Sequence, residues 1–265
     1  MRRILQRLVA LILLLLPLLG TTTVISAQEN SPGRKVEFDK VRKGDFHVGL
    51  FGPLRYGLAN NMELQTHPIF DFVIPNAKLI WTHKTAGNQS IQTRHSLVYP
   101  TPLLRLISRK GTGGILPDDP TIVEIPSMIS LYNEIRYYRI PFPSLEYYFS
   151  GGIGFAGVFG DLDERTTIDL PVVFPRLGVF YNGYSLRVGS GMDWKLSPQW
   201  GMKSDAELIW LPGYSEAFFW EHSGQVRWQF SESWNLMAGY LLTFGTYPFG
   251  KQYHLLPLFD LGYRW

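Results

Sequence analysis

Residues Leu255 to Trp265 read LLPLFDLGYRW. Every second position back from the end is apolar or aromatic: Trp265, Tyr263, Leu261, Phe259, Pro257 and Leu255. Arg264, Gly262 and Asp260 fall between them. A two-residue period sends one set to one face of a β-strand and the other set to the opposite face. A strand of about ten residues with one apolar and one polar face can cross a bilayer as part of a closed barrel. The competing reading is the last strand of a soluble β-protein, which also alternates when half-buried.

The N-terminus separates the two readings. Arg2, Arg3 and Arg7 form a positive leader, and Leu8 to Leu19 form an apolar run too short to span a bilayer as a helix. Ile25-Ser26-Ala27 then supplies a cleavage site with a small residue at its end. Residues 1–27 are therefore expected to be a secretory signal peptide, with an uncleaved anchor helix as the alternative. The chain has no cysteine, which excludes lipoprotein anchoring, disulfides, thiol nucleophiles and thiolate metal sites.

With an export signal in place, the final strand resembles the C-terminal insertion signal of bacterial outer-membrane β-barrel proteins. The resemblance implies an all-β, single-chain antiparallel transmembrane barrel. It also implies export through the periplasm to the bacterial outer membrane. Outer-membrane lipids and the barrel assembly machinery become the expected partners, and Phe259, Leu261, Tyr263 and Trp265 become the insertion signal. The resemblance reaches no single functional family.

Composition agrees with a barrel. There are 26 Gly and 18 Pro, and aromatic residues make up 15% of the chain, which suits tight turns and interfacial girdles. Mean hydropathy is −0.03, because polar inward residues alternate with apolar outward ones. The signal holds three of the 25 basic residues and none of the 22 acidic ones, so the mature chain is charge-balanced. That balance gives no reason to expect a nucleic-acid partner.

Residues 28–43 are polar and charged and read as a periplasmic lead-in, with a lumenal plug as the other reading. The barrel is expected over residues 44–265. Phe46, Val48, Leu50, Leu54, Tyr56 and Leu58 share one face, with His47, Gly49, Arg55 and Gly57 on the other. Met62, Leu64, Phe70, Phe72 and Ile74 are expected outward, and Glu63, Gln65, His67 and Asp71 inward. Leu79 and Trp81 follow outward, with Lys78 inward. Residues 90–105 read as an irregular strand interrupted by Pro100 and Pro102, and 107–121 as the longest loop. Over 122–139, Ile135 and Tyr137 against Glu134 and Arg136 favour a strand over a short helix. Beyond Phe149 the inward positions Ser150, Gly152, Gly154 and Ala156 are small, which suggests a crowded wall. Residues 168–181 are expected to cross back as a strand, with Asn182-Gly183 as a hairpin turn. Four clean strands then lead to the last one. The count is about twelve, within a range of about ten to fourteen. It places loop 107–121 on the periplasmic side, whereas long loops of such barrels are extracellular, so either one strand near it is miscounted or a second miscount compensates.

The strand number invites comparison with outer-membrane phospholipase A, which resembles this chain in size. That family sets a His and a Ser two residues apart, with an Asn orienting the His. Here the pairs are His95-Ser96 and His222-Ser223, and adjacent strand residues point to opposite faces. Without a bulge, neither pair can act as nucleophile and base, so no catalytic residue is assigned and no enzyme is expected. The histidines show no metal-ligand spacing, and no metal or cofactor is expected.

The inward charges carry the functional reading. Arg187, Asp193, Lys195, Lys203, Asp205, Glu207, Glu221 and Arg227 lie on three successive strands, and Asp260 lies on the last. Mixed signs on neighbouring strands suit cross-strand pairs. They fit either the wall of a porin-like channel for small polar solutes or a filled, non-conducting structural or adhesive barrel. A lipid-modifying enzyme is the third reading. As a test of export, N-terminal sequencing of membrane-extracted protein should begin near Gln28; an intact Met1 would overturn the signal-peptide reading.

Overall fold

The computed structural model describes residues 41–84, 88–108, 116, 124–213 and 217–264. Twelve antiparallel strands close into one barrel. The first part holds β1 (Phe46–Gly49), β2 (Leu54–Ala59), β3 (Met62–Thr66), a short helix α1 (Pro68–Asp71) and β4 (Asn76–Lys84). Next come β5 (Gln89–Val98), α2 (Thr101–Ile107), β6 (Ser127–Phe142) and β7 (Leu145–Phe159). The β7–β8 connection carries α3 (Phe174–Leu177) and α4 (Val179–Asn182). It leads to β8 (Tyr184–Lys195), β9 (Trp200–Leu211), β10 (Ala217–Gln229), β11 (Trp234–Tyr247) and β12 (Gly250–Arg264).

Closure is between the first and last strands, with His47↔Arg264, Val48↔Tyr263 and Gly49↔Gly262 in register. Arg264 also reaches Asp45 at 2.8 Å across this seam. Closure satisfies the edge amides, which in lipid have no other partner. Phe259, Leu261 and Tyr263 alternate with inward Asp260 and Gly262, and the Tyr263 ring lies 4.7 Å from that of Trp234. Trp265 lies outside the described residues.

The outward face is an apolar belt. Trp194, Trp200, Trp228 and Trp234 are exposed together at the end where β1 begins and β12 finishes. Trp200 and Trp228 stack at 5.8 Å. Trp210 and Phe218, in register with each other, mark the opposite rim. Trp200 and Trp210 are ten residues apart on one strand. At ~3.3 Å per residue and a tilt of ~40°, that spans about 25 Å, the height of an outer-membrane barrel's apolar band. This is a bacterial outer-membrane-type β-barrel.

Two departures from the sequence reading cancel in the strand count. Residues 46–58 are not one strand but two, β1 and β2, joined through Gly52 and Pro53. Phe46 pairs with Tyr56, so both keep the same face and alternation runs unbroken through the turn. Residues 168–181 are not a strand. Pro171 and Pro175 cannot donate to a ladder, and the segment is apolar without a two-residue period. Asn182-Gly183 is accordingly no hairpin: Gly183, at φ 82°, caps α4. The swap puts the end of β5 and the start of β6 opposite the end where β1 begins and β12 finishes, together with the β7–β8 connection.

Two further strands end early. β5 stops at Val98, because Pro100 and Pro102 open α2. β3 stops at Thr66, so Phe72 is exposed on a loop and Ile74 is buried in the core rather than outward. At the other end, the lead-in is not free of the barrel at its last residues. Lys43 bridges Gly57, and the Gly44 N–H donates to the Gly57 carbonyl at 2.9 Å. A Cβ on inward-facing Gly57 would collide with the Arg42 carbonyl, so that glycine admits the chain along the wall. Residues 1–40 lie outside the described residues.

His67 clasps the β1–β2 turn, its Nε2 lying 2.7 Å from the Phe51 carbonyl oxygen. Burial pushes its pKa below the ordinary imidazole value, and the Phe51 contact recovers part of the shift. A folded pKa below the unfolded one means the unfolded chain takes up the proton first. The stability is thus present above the unfolded value and lost as pH falls towards the folded one. The melting midpoint in detergent should drop from about pH 7.5 to about pH 5.5, and the drop should shrink in His67→Gln. Identical pH profiles would rule the clasp out.

Candidate functional site

The lumen wall follows from strand parity. Opposite the outward Leu186, Val188, Met192 and Trp194 of β8 stand Ser185, Arg187, Gly189, Gly191, Asp193 and Lys195. Register then puts Lys203, Asp205 and Glu207 of β9 on the same side, with Asp193↔Lys203 and Glu207↔Glu221 directly opposed. Arg227 lies opposite Gly201, where a Cβ would press on the guanidinium. Asp260 is inward too, but buried, and it accepts the Phe51 N–H at 2.9 Å. Its carboxylate holds the β1–β2 turn. All nine residues singled out from the sequence therefore share the inward face.

The other half of the wall is equally charged. Arg55 grips Glu63 through Nε at 2.5 Å and Nη2 at 2.7 Å, and Gln65 donates to the same carboxylate at 2.6 Å. Arg136 donates to Glu134 at 2.5 Å and lies 4.2 Å over the Tyr148 ring. Arg187 lies 4.5 Å over the Tyr132 ring and 3.9 Å from the Glu207 carboxylate. The Tyr148 hydroxyl donates to Asp205, which Lys203 approaches at 3.6 Å. Inward glycines make room for these rings. A Cβ on Gly152 would strike Tyr132, and one on Gly191 would strike Tyr148. The wall is crowded here, as its small residues suggest.

Arg94 is a lumenal wall charge that sequence reading missed. It donates to the Gln92 side chain at 2.6 Å and to the Tyr138 hydroxyl at 2.9 Å. The signal that could have found it is the alternation of Gln92, Arg94 and Ser96 against Ile91, Thr93 and Leu97. The prolines just beyond obscured that strand.

The mouth away from the termini is crossed by the β7–β8 connection. Ile168 packs with α2 residues Leu103, Leu104 and Ile107. Asp169 accepts from Gln252 of β12 at 2.7 Å. Val172 is fully buried against Leu241 and Leu258 of the far wall. Phe174 meets Phe219 edge-on at 5.7 Å and joins Ile209, Leu211 and Tyr247. The chain then returns through Val179 and Phe180 to the first cluster. Wall residues near this rim are therefore apolar although they face inward. Ile209, Leu211 and Phe219 are buried by the connection rather than by lipid.

Arg176 pins the connection. It donates to Glu221 through Nη1 at 2.8 Å and Nη2 at 2.7 Å, and Nη1 also reaches the Val172 carbonyl at 2.9 Å. Burial opposes the Arg176 charge, but the Glu221 carboxylate more than restores it and holds the guanidinium protonated. Val172 has φ 66°, in the left-handed region. For a β-branched residue this costs on the order of 1–2 kcal/mol, which burial of its side chain at ~1.5–3 kcal/mol can offset.

The outward face carries two polar groupings. His95 Nδ1 lies 2.7 Å from Asn133 Oδ1, so an asparagine does orient this histidine. The residue two positions on is Leu97, however, and the grouping has no nucleophile there. His83 instead approaches Thr93 at 3.2 Å. His222 does not pair with Ser223, which faces inward and is buried. Its Nε2 lies 3.1 Å from Ser204 of the adjacent strand, and its Nδ1 lies 3.2 Å from the Tyr240 hydroxyl. This serine–histidine pair depends on register between strands, which no spacing along the chain reveals.

No protein-family model matches the chain, and no curated protein sequence matches it. Solved structures similar to it are outer-membrane proteins. A loop L8 deletion mutant of OmpT from Vibrio cholerae shares 9% identity at a TM-score of 0.47, covering 80% of this chain and 62% of that one. The KdgM porin in complex with disordered oligogalacturonate shares 9% identity at 0.40, covering 83% of this chain and 95% of that one. OccAB4 of Acinetobacter baumannii shares 8% identity at 0.39, covering 91% and 56%. The chain thus spans less than two-thirds of the OmpT structure. The barrel assignment rests on this chain's own closed ladder and outward belt.

Glu221→Gln should leave the Arg176 guanidinium buried without its anion. The expected cost is about 3–5 kcal/mol, concentrated in the connection. Amide hydrogen exchange over residues 174–183 should accelerate while that of β8 to β12 stays slow. Unchanged exchange in the connection would show that the ion pair does not pin it.

Proposed function

We propose that this barrel is a channel for small polar solutes whose constriction is its own β7–β8 connection. The observation that carries the reading is the partial exposure of charges on the lumen wall. The Glu207 and Asp205 side chains retain 27% and 22% of their exposure although they point away from the outer surface. A dry ion-pair network would bury such groups completely, because burial without full pairing costs several kcal/mol. A hydrated wall supports passage of solutes that tolerate a local field. The connection narrows the path at one end, and its ion pair to Glu221 sets how rigidly it does so.

A lipid-modifying enzyme is the second reading, and Ser204 beside His222 is the observation in its favour. Two features weigh against it. Ser204 sits four positions from Trp200 and six from Trp210, near the middle of the belt. Lipid ester carbonyls lie at the interface instead. Ser204 is also paired on both sides, to Met192 and Gly224, so ladder hydrogen bonds engage the nearby amides that an oxyanion would need. In lipid, the three side chains satisfy one another.

The refolded mature chain in a planar bilayer should conduct. Asp205→Asn with Glu207→Gln should shift its reversal potential towards anion selectivity, with a melting midpoint nearly unchanged. A variant that melts far lower, with no conductance before or after, would favour the filled structural barrel. Lipase activity abolished by Ser204→Ala would favour the enzyme.

A further inference from the structure

We propose that Lys78 and Arg94 form an anion-binding site on the lumen wall, so that the solutes this channel takes are small carboxylate- or phosphate-bearing anions. The inference rests on the channel reading only in requiring that water reach the wall.

Glu63 is held by Arg55 and Gln65, Glu134 by Arg136, and Glu221 by Arg176. Asp205 accepts from Tyr148 and faces Lys203, and Glu207 faces Arg187. Asp260 accepts from the Phe51 backbone. Each of these carboxylates already has a donor or a cation beside it.

The cations of β4 and β5 are not matched in this way. Arg94 is only 7% exposed, yet its hydrogen bonds go to a neutral amide oxygen and a neutral hydroxyl. Among the described residues, no carboxylate lies within ion-pair distance of it or of Lys78. Glu134 stands opposite Arg94 in register and attracts both Arg94 and Lys78, but it is bonded to Arg136, so three cations share this one carboxylate. A nearly buried guanidinium whose hydrogen bonds all go to neutral groups is then incompletely compensated, and a bound anion would complete the balance.

Register brings the two cations together. Lys78 pairs with Ser96 and Ile80 with Arg94 on the neighbouring strand, so both cations are inward and one diagonal step apart. Inward neighbours at that step are ~7–8 Å apart at the backbone, within reach of two long side chains. Ser96 lies between them. A guanidinium fork, an ammonium and a hydroxyl suit the oxygens of a carboxylate or phosphate.

The test uses the refolded full-length mature chain with inorganic phosphate and citrate as probes. In detergent, either probe should raise the melting midpoint more than potassium chloride at matched ionic strength. Arg94→Lys keeps the charge and loses the fork; it should bind at least tenfold more weakly while melting as the wild type does without probe. Lys78→Gln should behave likewise and should move the reversal potential towards cations in a bilayer. If neither probe binds beyond the salt effect, or both variants bind as the wild type does, the site is overturned even if the barrel conducts. If the probes bind and the variants weaken them but no current flows, the site stands and the channel reading falls.

Discussion

The structure depends on one constraint: a strand in lipid must pair its backbone on both edges. A strand edge left open in hydrocarbon costs several kcal/mol per unpaired group, so the sheet has to close on itself. β1 meets that need with only four residues. Its weakness is compensated locally. Arg264 bonds Asp45 across the seam, Asp260 receives the Phe51 amide, and the Leu50 amide donates to the Leu261 carbonyl. Of the longest strands, β12 and β11 adjoin β1 on one side, while β6 and β7 stand across the barrel from it.

Closure creates an interior that must then be filled or wetted. The two ends of this barrel solve that differently. Near the rim away from the termini, inward side chains are apolar, and the β7–β8 connection folds in to cover them. Deeper in, inward side chains are charged and arranged in pairs stacked on tyrosine rings. The connection joins the two regimes. Its hydrophobic residues pack at the rim while Arg176 reaches down to the Glu221 carboxylate. Val172, held at positive φ, packs against Leu241 and Leu258 of the far wall. Such a residue persists only where the surrounding packing over-determines it.

Much of this was legible from alternation. Parity placed Arg187, Asp193, Lys203, Asp205, Glu207 and Glu221 on one face correctly, because a β-strand has only two faces and a two-residue period names them. The same rule hid the β1–β2 turn, since a hairpin whose partners are Phe46 and Tyr56 preserves parity across the bend. It also failed over 168–181, where the chain is buried on every side and has no period to show. Arg94 was missed because Pro100 and Pro102 made its strand look irregular.

The sequence by itself determined that this chain builds an all-β wall with an apolar outside and a charged inside. Each strand's face preference is a local property of its own side chains. Only the tertiary structure decided which inward charges meet, that Ser204 stands beside His222, and that Lys78 and Arg94 share a patch of wall. Those contacts join residues on different strands, and the register that sets them is fixed by closure of the whole barrel. The fold of the β7–β8 connection into the mouth was likewise decided there. An apolar segment with no period acquires its conformation from the cavity it fills.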